Sequence, residues 1–341
     1  TITQPNAIAV AAASGDALAC FGNSNGSVSV SVTGGTPAYV YHWENNGGTT
    51  VGNTAVVSGL PAGNYFVTIT DSNNCPPATA AVIISQPSVF NATISLINQP
   101  SCFGFANGSI TVNVSGGTMP VSFYQWAAPI ASFTGSTPVN LAAGSYSVTV
   151  TDANGCSSAA NYTLSQPVAL GINLSATPTS GFGASDGSAL ATINGGTGSY
   201  SYAWENAANP GIVISNSNPA VALEAGTYCV TVTDANACTI SSCINVTEPL
   251  PLGVTASGSN VSCFGGSNGS VSAGASGGVP PYSYSWQNSL GVSVGSSISV
   301  NNLTAGTYFV TVTDSNAFTA SAQVTITQPN AIAVAAASGD A

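Results

Sequence analysis

Eight cysteines, one histidine and a Thr-Asp-x-Asn segment met four times are the groups in this 341-residue sequence that could do chemistry. His42 has no cysteine or serine motif beside it, and the equivalent positions further along hold Gln125, Ala203 and Ser285. General acid–base or nucleophilic catalysis needs titratable groups brought together, so His42 reads as an exposed strand residue. Asp71, Asp152, Asp234 and Asp314 each follow an alternating strand and precede an Asn. Carboxylate and amide oxygens suit calcium, but each segment has one Asp, and near it each unit offers at most a scattered Glu44, Asp186, Glu205 or Glu224. Asp and Asn also close tight turns by bonding their own backbone, and that reading is preferred to a weak calcium site. No other cofactor is expected. The Gly-Gly and Phe-Gly-x-x-Asn-Gly stretches carry no Lys and lead into strands, so they are turns and not phosphate cradles.

The cysteines suit an oxidising compartment, since none forms a C-x-x-C pair or a Cys/His cluster. Cys20 with Cys75, and Cys102 with Cys156, occupy matching places and are expected to form intradomain disulfides. Each would close a loop of about 55 residues, stabilising by about 3–4 kcal/mol. Further on, Gly181 replaces the first cysteine while Cys238 remains, and Phe318 replaces the second while Cys263 remains. A Cys238–Cys263 bond across a joint and two free thiols both stay open. Cys229 and Cys243 lie symmetrically about Asn236, which suits a cross-strand disulfide; two small buried side chains are the alternative.

Eleven acidic residues face no Lys or Arg, giving a net charge of −11. Nucleic acid and anionic lipid headgroups are both held by Lys and Arg, so neither is an expected partner. Charged residues are 3% of the chain while 44% is apolar, so Ser, Thr, Asn, Gly and Gln must cover the surface. Regularly spaced Val, Ile, Tyr and Trp argue against disorder. No apolar run approaches the roughly 20 residues that cross a bilayer. The sequence opens in mid-strand without a leader, so export information is expected to lie elsewhere.

One string of landmarks passes four times, at a period near 81 residues. Gln-Pro or Glu-Pro opens each unit, followed by a Phe-Gly turn, Asn/Asp-Gly-Ser, Gly-Gly, an aromatic strand ending in Trp43, Trp126, Trp204 or Trp286, and a Leu-x-x-Gly-x-Tyr segment. The expected domains are 5–86, 87–166, 167–248 and 249–328, with residues 1–4 ending a preceding unit and 329–341 beginning a following one. Residues 1–17 recur unchanged as residues 325–341, an offset of 324 that equals four units. This implies a four-domain superrepeat or a window on a periodic fibre.

Period-two alternation throughout, with turns at Asn-Gly, Gly-Gly and Pro, predicts about seven antiparallel strands per unit and no long helix. The fold class is therefore all-β, a tandem array of immunoglobulin-like sandwiches. Tyr65, Tyr146, Tyr228 and Tyr308 stand where a tyrosine corner would bond its hydroxyl to upstream backbone, and the four Trp are expected in the cores. Stiff Gln-Pro joints predict a rod that advances by roughly 35–40 Å per domain.

The run Cys-Phe-Gly, Asn-Gly-Ser, Gly-Gly-Thr-Pro, Tyr-x-Trp, Leu-x-Ala-Gly-x-Tyr and Val-Thr-Val-Thr-Asp resembles the SprB repeat of Bacteroidota surface proteins, over essentially the whole chain. The resemblance implies a scaffold of a large secreted adhesin of the gliding-motility type, exported by the type IX route, with paired cysteines at Cys20/Cys75 and Cys102/Cys156 and no catalytic residues. Implied partners are neighbouring copies of the repeat and a surface polysaccharide or other substratum. A carbohydrate-binding array is the alternative; it needs exposed rings, for which Phe66 and Phe309 are the repeated candidates. A fibre joined by donated strands is a third reading, resting on the duplicated terminal segment. An ice-binding array is weaker, since flat Thr-x-Thr faces are not kept. The sequons at Asn91, Asn107, Asn161 and Asn302 matter only where the source glycosylates them.

Overall fold

A computed structural model describes residues 3–334. Residues 1–2 of the expected leading segment and 335–341 of the expected trailing strand lie outside them. All regular structure among the described residues is β. The first repeat has seven strands: β1 (Ala9–Gly15), β2 (Gly26–Thr33), β3 (Val40–Asn45), β4 (Thr50–Gly52), β5 (Val56–Leu60), β6 (Gly63–Thr70) and β7 (Ala78–Ile84). They form two antiparallel sheets, ordered β1-β2-β5 and β4-β3-β6-β7. Alternation decides which side chains go inward. Along β6, Tyr65, Val67 and Ile69 are buried while Phe66 and Thr68 face out. Val28, Val57 and Leu60 from one sheet meet Trp43, Val67, Ile69 and Ile84 from the other in a single core.

The third and fourth repeats have the same two-sheet topology. In the second, Asn91–Asn98 pairs only with Ser109–Ser115, and three strands make the facing sheet: Val121–Trp126, Gly144–Asp152 and Ser157–Leu164. The segment between Trp126 and Gly144 contains Pro129 and Pro138, which cannot donate to a ladder. It forms no strand: beside a Gly108–Leu141 bridge, the Ser136 and Pro138 carbonyls accept from the N–H groups of Val112 and Ile110. Phe133 from this segment covers Trp126 edge-on, with ring centroids 6.5 Å apart, and packs with Ile130 against the core where a strand is missing. Four cores result, one per repeat, and the chain separates into two compact units, Thr1–Pro167 and Val168–Ala341, with two cores in each.

Trp43, Trp126, Trp204 and Trp286 are all fully or almost fully buried. Three of them donate Nε1–H to a main-chain carbonyl: Thr54 at 3.0 Å, Gly135 at 3.0 Å and Ser297 at 3.2 Å. The Trp204 Nε1 is buried without a partner. The third repeat also differs nearby, where the Asn218 side chain takes both main-chain groups of Ala191. An orphaned buried donor costs about 1–3 kcal/mol, and Trp43→Phe would leave the Thr54 carbonyl unpaired whereas Trp204→Phe removes an orphan. Hydrogen exchange of the strand amides should therefore show Trp43→Phe costing its repeat more than Trp204→Phe costs its own, by about 1–3 kcal/mol.

Candidate functional site at the joint between repeats

The repeated polar residues bond the chain to itself. Asp71 accepts from the backbone N–H groups of Thr36 (3.0 Å), Asn73 (3.1 Å) and Cys75 (3.0 Å), tying the Gly-Gly turn to the last hairpin. Asp152, Asp234 and Asp314 make the same three bonds in their repeats. All four carboxylates are buried. The N–H of Cys75, then that of Thr36, holds the Asp71 carboxyl below the usual range. For Asp152, Asp234 and Asp314, desolvation pushes upward, but three backbone donors outweigh it and the net shift is downward.

These carboxyls therefore take up protons at lower pH folded than unfolded. Their contribution is complete above the unfolded value, about pH 4, and is lost as pH falls through the folded values. Calorimetry is expected to show a melting temperature nearly flat from about pH 7 to 5 and falling steeply below about pH 4. Asp152→Asn should lower the melting point of the second repeat at neutral pH and reduce its acid sensitivity.

Tyr65, Tyr146, Tyr228 and Tyr308 donate their hydroxyls to the carbonyls of Pro61, Ala142, Glu224 and Thr304, four residues upstream, at 2.8–3.0 Å. Burial pushes the Tyr65, Tyr146 and Tyr228 hydroxyls above their ordinary pKa. His42 is exposed and bonds Glu44 Oε1 at 2.8 Å. Among the described residues, no cluster of three His, Cys, Asp or Glu could hold a metal ion.

Gln-Pro does more than stiffen the joint. Gln86 Oε1 accepts from Gly22 N–H of the Phe-Gly turn at 2.9 Å, and Gln166, Glu248 and Gln328 do the same for Gly104, Gly183 and Gly265 at 2.7–2.9 Å. Glutamate serves as well as glutamine because an acceptor is all that is required. Leu18 N–H also bonds Ser85 O, so the Phe-Gly turn is fixed to the trailing end of its own sandwich. Cys20 and Phe21 are thereby presented to the next repeat.

This corrects the expected pairings. Cys20 bonds Cys156 of the second repeat, with Cα atoms 5.7 Å apart, and Cys75 is an exposed free thiol. The reason lies in the strand directions. Cys75 follows Asp71 at the leading end, and the seven residues of β7 carry the chain roughly 20 Å to Ser85 beside Leu18. A disulfide needs Cα atoms within about 7 Å, so a bond from Cys20 to Cys75 inside one sandwich is excluded. With Cys156 committed to Cys20, a bond between Cys102 and Cys156 is excluded as well; Cys102 and Cys238 are each disulfide-bonded, and Cys263 is a free thiol. A Cys238–Cys263 bond is likewise ruled out. Cys229 and Cys243 are direct cross-strand partners joined by a disulfide.

Around the staple, Asn154 Nδ2–H bonds Ala19 O at 3.2 Å, and Phe21 lines a groove with Pro87, Phe90, Gly117 and Cys156. At the joint of the third and fourth repeats, Asn316 Nδ2–H bonds Ser180 O at 2.6 Å, and the Phe318 ring lies directly over Gly181. A Cβ on Gly181 would sit 2.2 Å from that ring. Gly181 and Phe318 stand where Cys20 and Cys156 stand at the first joint, so ring on glycine replaces the disulfide. The joint also holds exposed rings missed by the sequence reading. Phe21, Phe103, Phe182 and Phe264 are all more than half exposed, so Phe66 and Phe309 are not the sole repeated outward aromatics. Their place before a turn glycine, outside any alternating strand, was the available signal.

Stapled, Asp-braced sandwiches in series define a class: tandem immunoglobulin-like β domains. The SprB repeat family model matches residues 18–48, 95–128, 173–209 and 255–291, once in each unit. The four matches fall at the same place in each unit and are consistent with SprB-repeat domains. No curated protein matches the sequence. Similar solved structures include three N-terminal domains of the highly immunogenic outer capsid protein Hoc of bacteriophage RB49, at 16% identity and TM-score 0.40, covering 70% of this chain and 96% of that one. A tetra-tandem repeat from the extending region of a large adhesion protein is 14% identical, with TM-score 0.30, covering 94% and 99%. The N-terminal eight Ig domains of Down syndrome cell adhesion molecule are 12% identical, with TM-score 0.32, covering 96% of this chain and 61% of that one. No helix among the described residues is long and apolar enough to cross a membrane.

Proposed function

We propose that the chain is a section of the shaft of a repetitive extracellular adhesin, a scaffold and not a catalyst. The observation that carries this reading is that the residues recurring in every repeat bond the scaffold to itself: Asp to backbone, Tyr to its corner, Gln or Glu to the Phe-Gly turn. Disulfides fit an oxidising, extracellular setting. A net charge of −11 with no cation keeps neighbouring shafts apart and soluble. On this reading the shaft needs no cofactor, its partners are neighbouring copies and a polysaccharide or other substratum, and the likeness to SprB repeats extends the proposal to type IX export and gliding. Antibodies against the chain should label intact cells, and deleting repeats should shorten the labelled projections and weaken attachment. Labelling seen only after permeabilisation, or attachment indifferent to repeat number, would overturn it.

A further inference from the structure

The two free thiols, Cys75 and Cys263, lie in the first and fourth repeats and are exposed. Cys75 occupies in the first repeat the place of Cys156 in the second. Asp71 holds its N–H as Asp152 holds that of Cys156. Asn73 lies two residues before it, as Asn154 lies before Cys156, and both amides bond the Thr of their Gly-Gly turn at 3.0 Å. Cys263 occupies the place of Cys20, in a Phe-Gly turn clasped by Gln328 as Gln86 clasps the turn after Cys20. Each free cysteine is thus mounted as one half of the observed staple.

The duplicated segment says which halves meet. Residues 325–341 repeat residues 1–17, an offset of 324, and in a chain that keeps this period Cys75 of a following copy would fall 136 residues after Cys263. Cys20 and Cys156 are separated by the same 136 residues. The surfaces agree. Cys263, Phe264, Pro329 and Ile332 line an apolar groove that matches the Cys20, Phe21, Pro87 and Phe90 side of the first joint. The first repeat presents Gly35, Asn73 and Cys75 at the positions where the second presents Gly117, Asn154 and Cys156 to the Cys20 turn. The third joint shows that the two positions change together, since Gly181 is matched by Phe318.

We propose that Cys263 forms a disulfide with Cys75 of the following copy of this 324-residue period, whose first repeat seats on the groove around Phe264. The two thiols lose two protons and two electrons, and a disulfide oxidant such as oxidised glutathione accepts them and becomes two thiols. The Asn73 amide of that copy then bonds the Ser262 carbonyl, as Asn154 bonds Ala19. The inference goes beyond the shaft reading and does not need adhesion.

The test is a chain of two consecutive periods, folded under a glutathione redox buffer and alkylated without reduction. It contains four thiols outside the disulfides already described, since each period has two. The expected result is two alkylated cysteines, Cys75 of the first period and Cys263 of the second. Peptic peptides should join the other two; pepsin is required because no Lys or Arg gives trypsin a site. Cys75→Ser in the second period alone should raise the alkylated count to three, with the exposed site leaving the fold intact. Four alkylated thiols in the folded two-period chain, or Cys263 joined to any other cysteine, overturns the proposal.

Discussion

With both Cys20 and Cys156 changed to serine, each sandwich is expected to keep its fold while the joint between them loosens. The double variant avoids a stray Cys20 thiol exchanging with Cys75. Closing a loop of 136 residues is worth about 5 kcal/mol in the chain-entropy treatment when the whole loop unfolds at once. Folded, however, the Leu18–Ser85 and Gly22–Gln86 bonds already hold the Cys20 end at the joint, and the Asn154–Ala19 bond holds the Cys156 end to it. Much of the effect should therefore appear as motion. Guanidinium unfolding of the whole chain should show the first two repeats losing up to about 5 kcal/mol, and NMR relaxation should show them tumbling with separate correlation times. Unchanged relaxation together with an unchanged unfolding midpoint would mean that the staple is idle.

Gly116→Ala is expected to be among the most damaging single-methyl changes in the second repeat. The first glycine of each Gly-Gly pair has φ near +68°, and at Gly116 a Cβ would stand 1.9 Å from the carbonyl oxygen of Val89. Gly34, Gly195 and Gly277 meet Ala7, Ala169 and Pro251 at 2.0–2.1 Å in the same way. Backbone cannot swing aside as a side-chain end can, so the turn must part from the leading segment and break the Gly117–Ser88 bond. Gly104 in the Phe-Gly turn has φ +78° but nothing within 4 Å. Alanine there bears only the left-handed backbone cost, about 1–2 kcal/mol. Gly116→Ala should exceed that by at least about 2 kcal/mol, the scale of an overpacked core, read from the melting of the second repeat. Equal costs would show that the close approach is not rigid.

Features fixed by local spacing were legible in the sequence. Tyr65 reaches a carbonyl four residues upstream, Asp71 bonds groups two and four residues on, and Cys229 and Cys243 face each other across one hairpin. What could not be read locally was the end of the sandwich at which each cysteine stands. That depends on strand direction and on a side chain, Gln86, folding back on Gly22. The paired losses at Gly181 and Phe318, in successive repeats, were the trace of a bond displaced by one repeat, and inside a single repeat they looked only like a broken pattern. The role of Phe21 was hidden for a related reason: alternation predicts which way a strand side chain points and says nothing of a turn residue.

The first joint has two covalent connections, the chain through Gln86 and Pro87 and the bridge from Cys20 to Cys156. A single strand of backbone passes tension but swivels freely about its own bonds. Two separated tethers cannot swivel, so a twist applied to one sandwich must appear in the next. A pair of repeats joined in this way behaves as a torsion shaft, able to carry torque as well as pull.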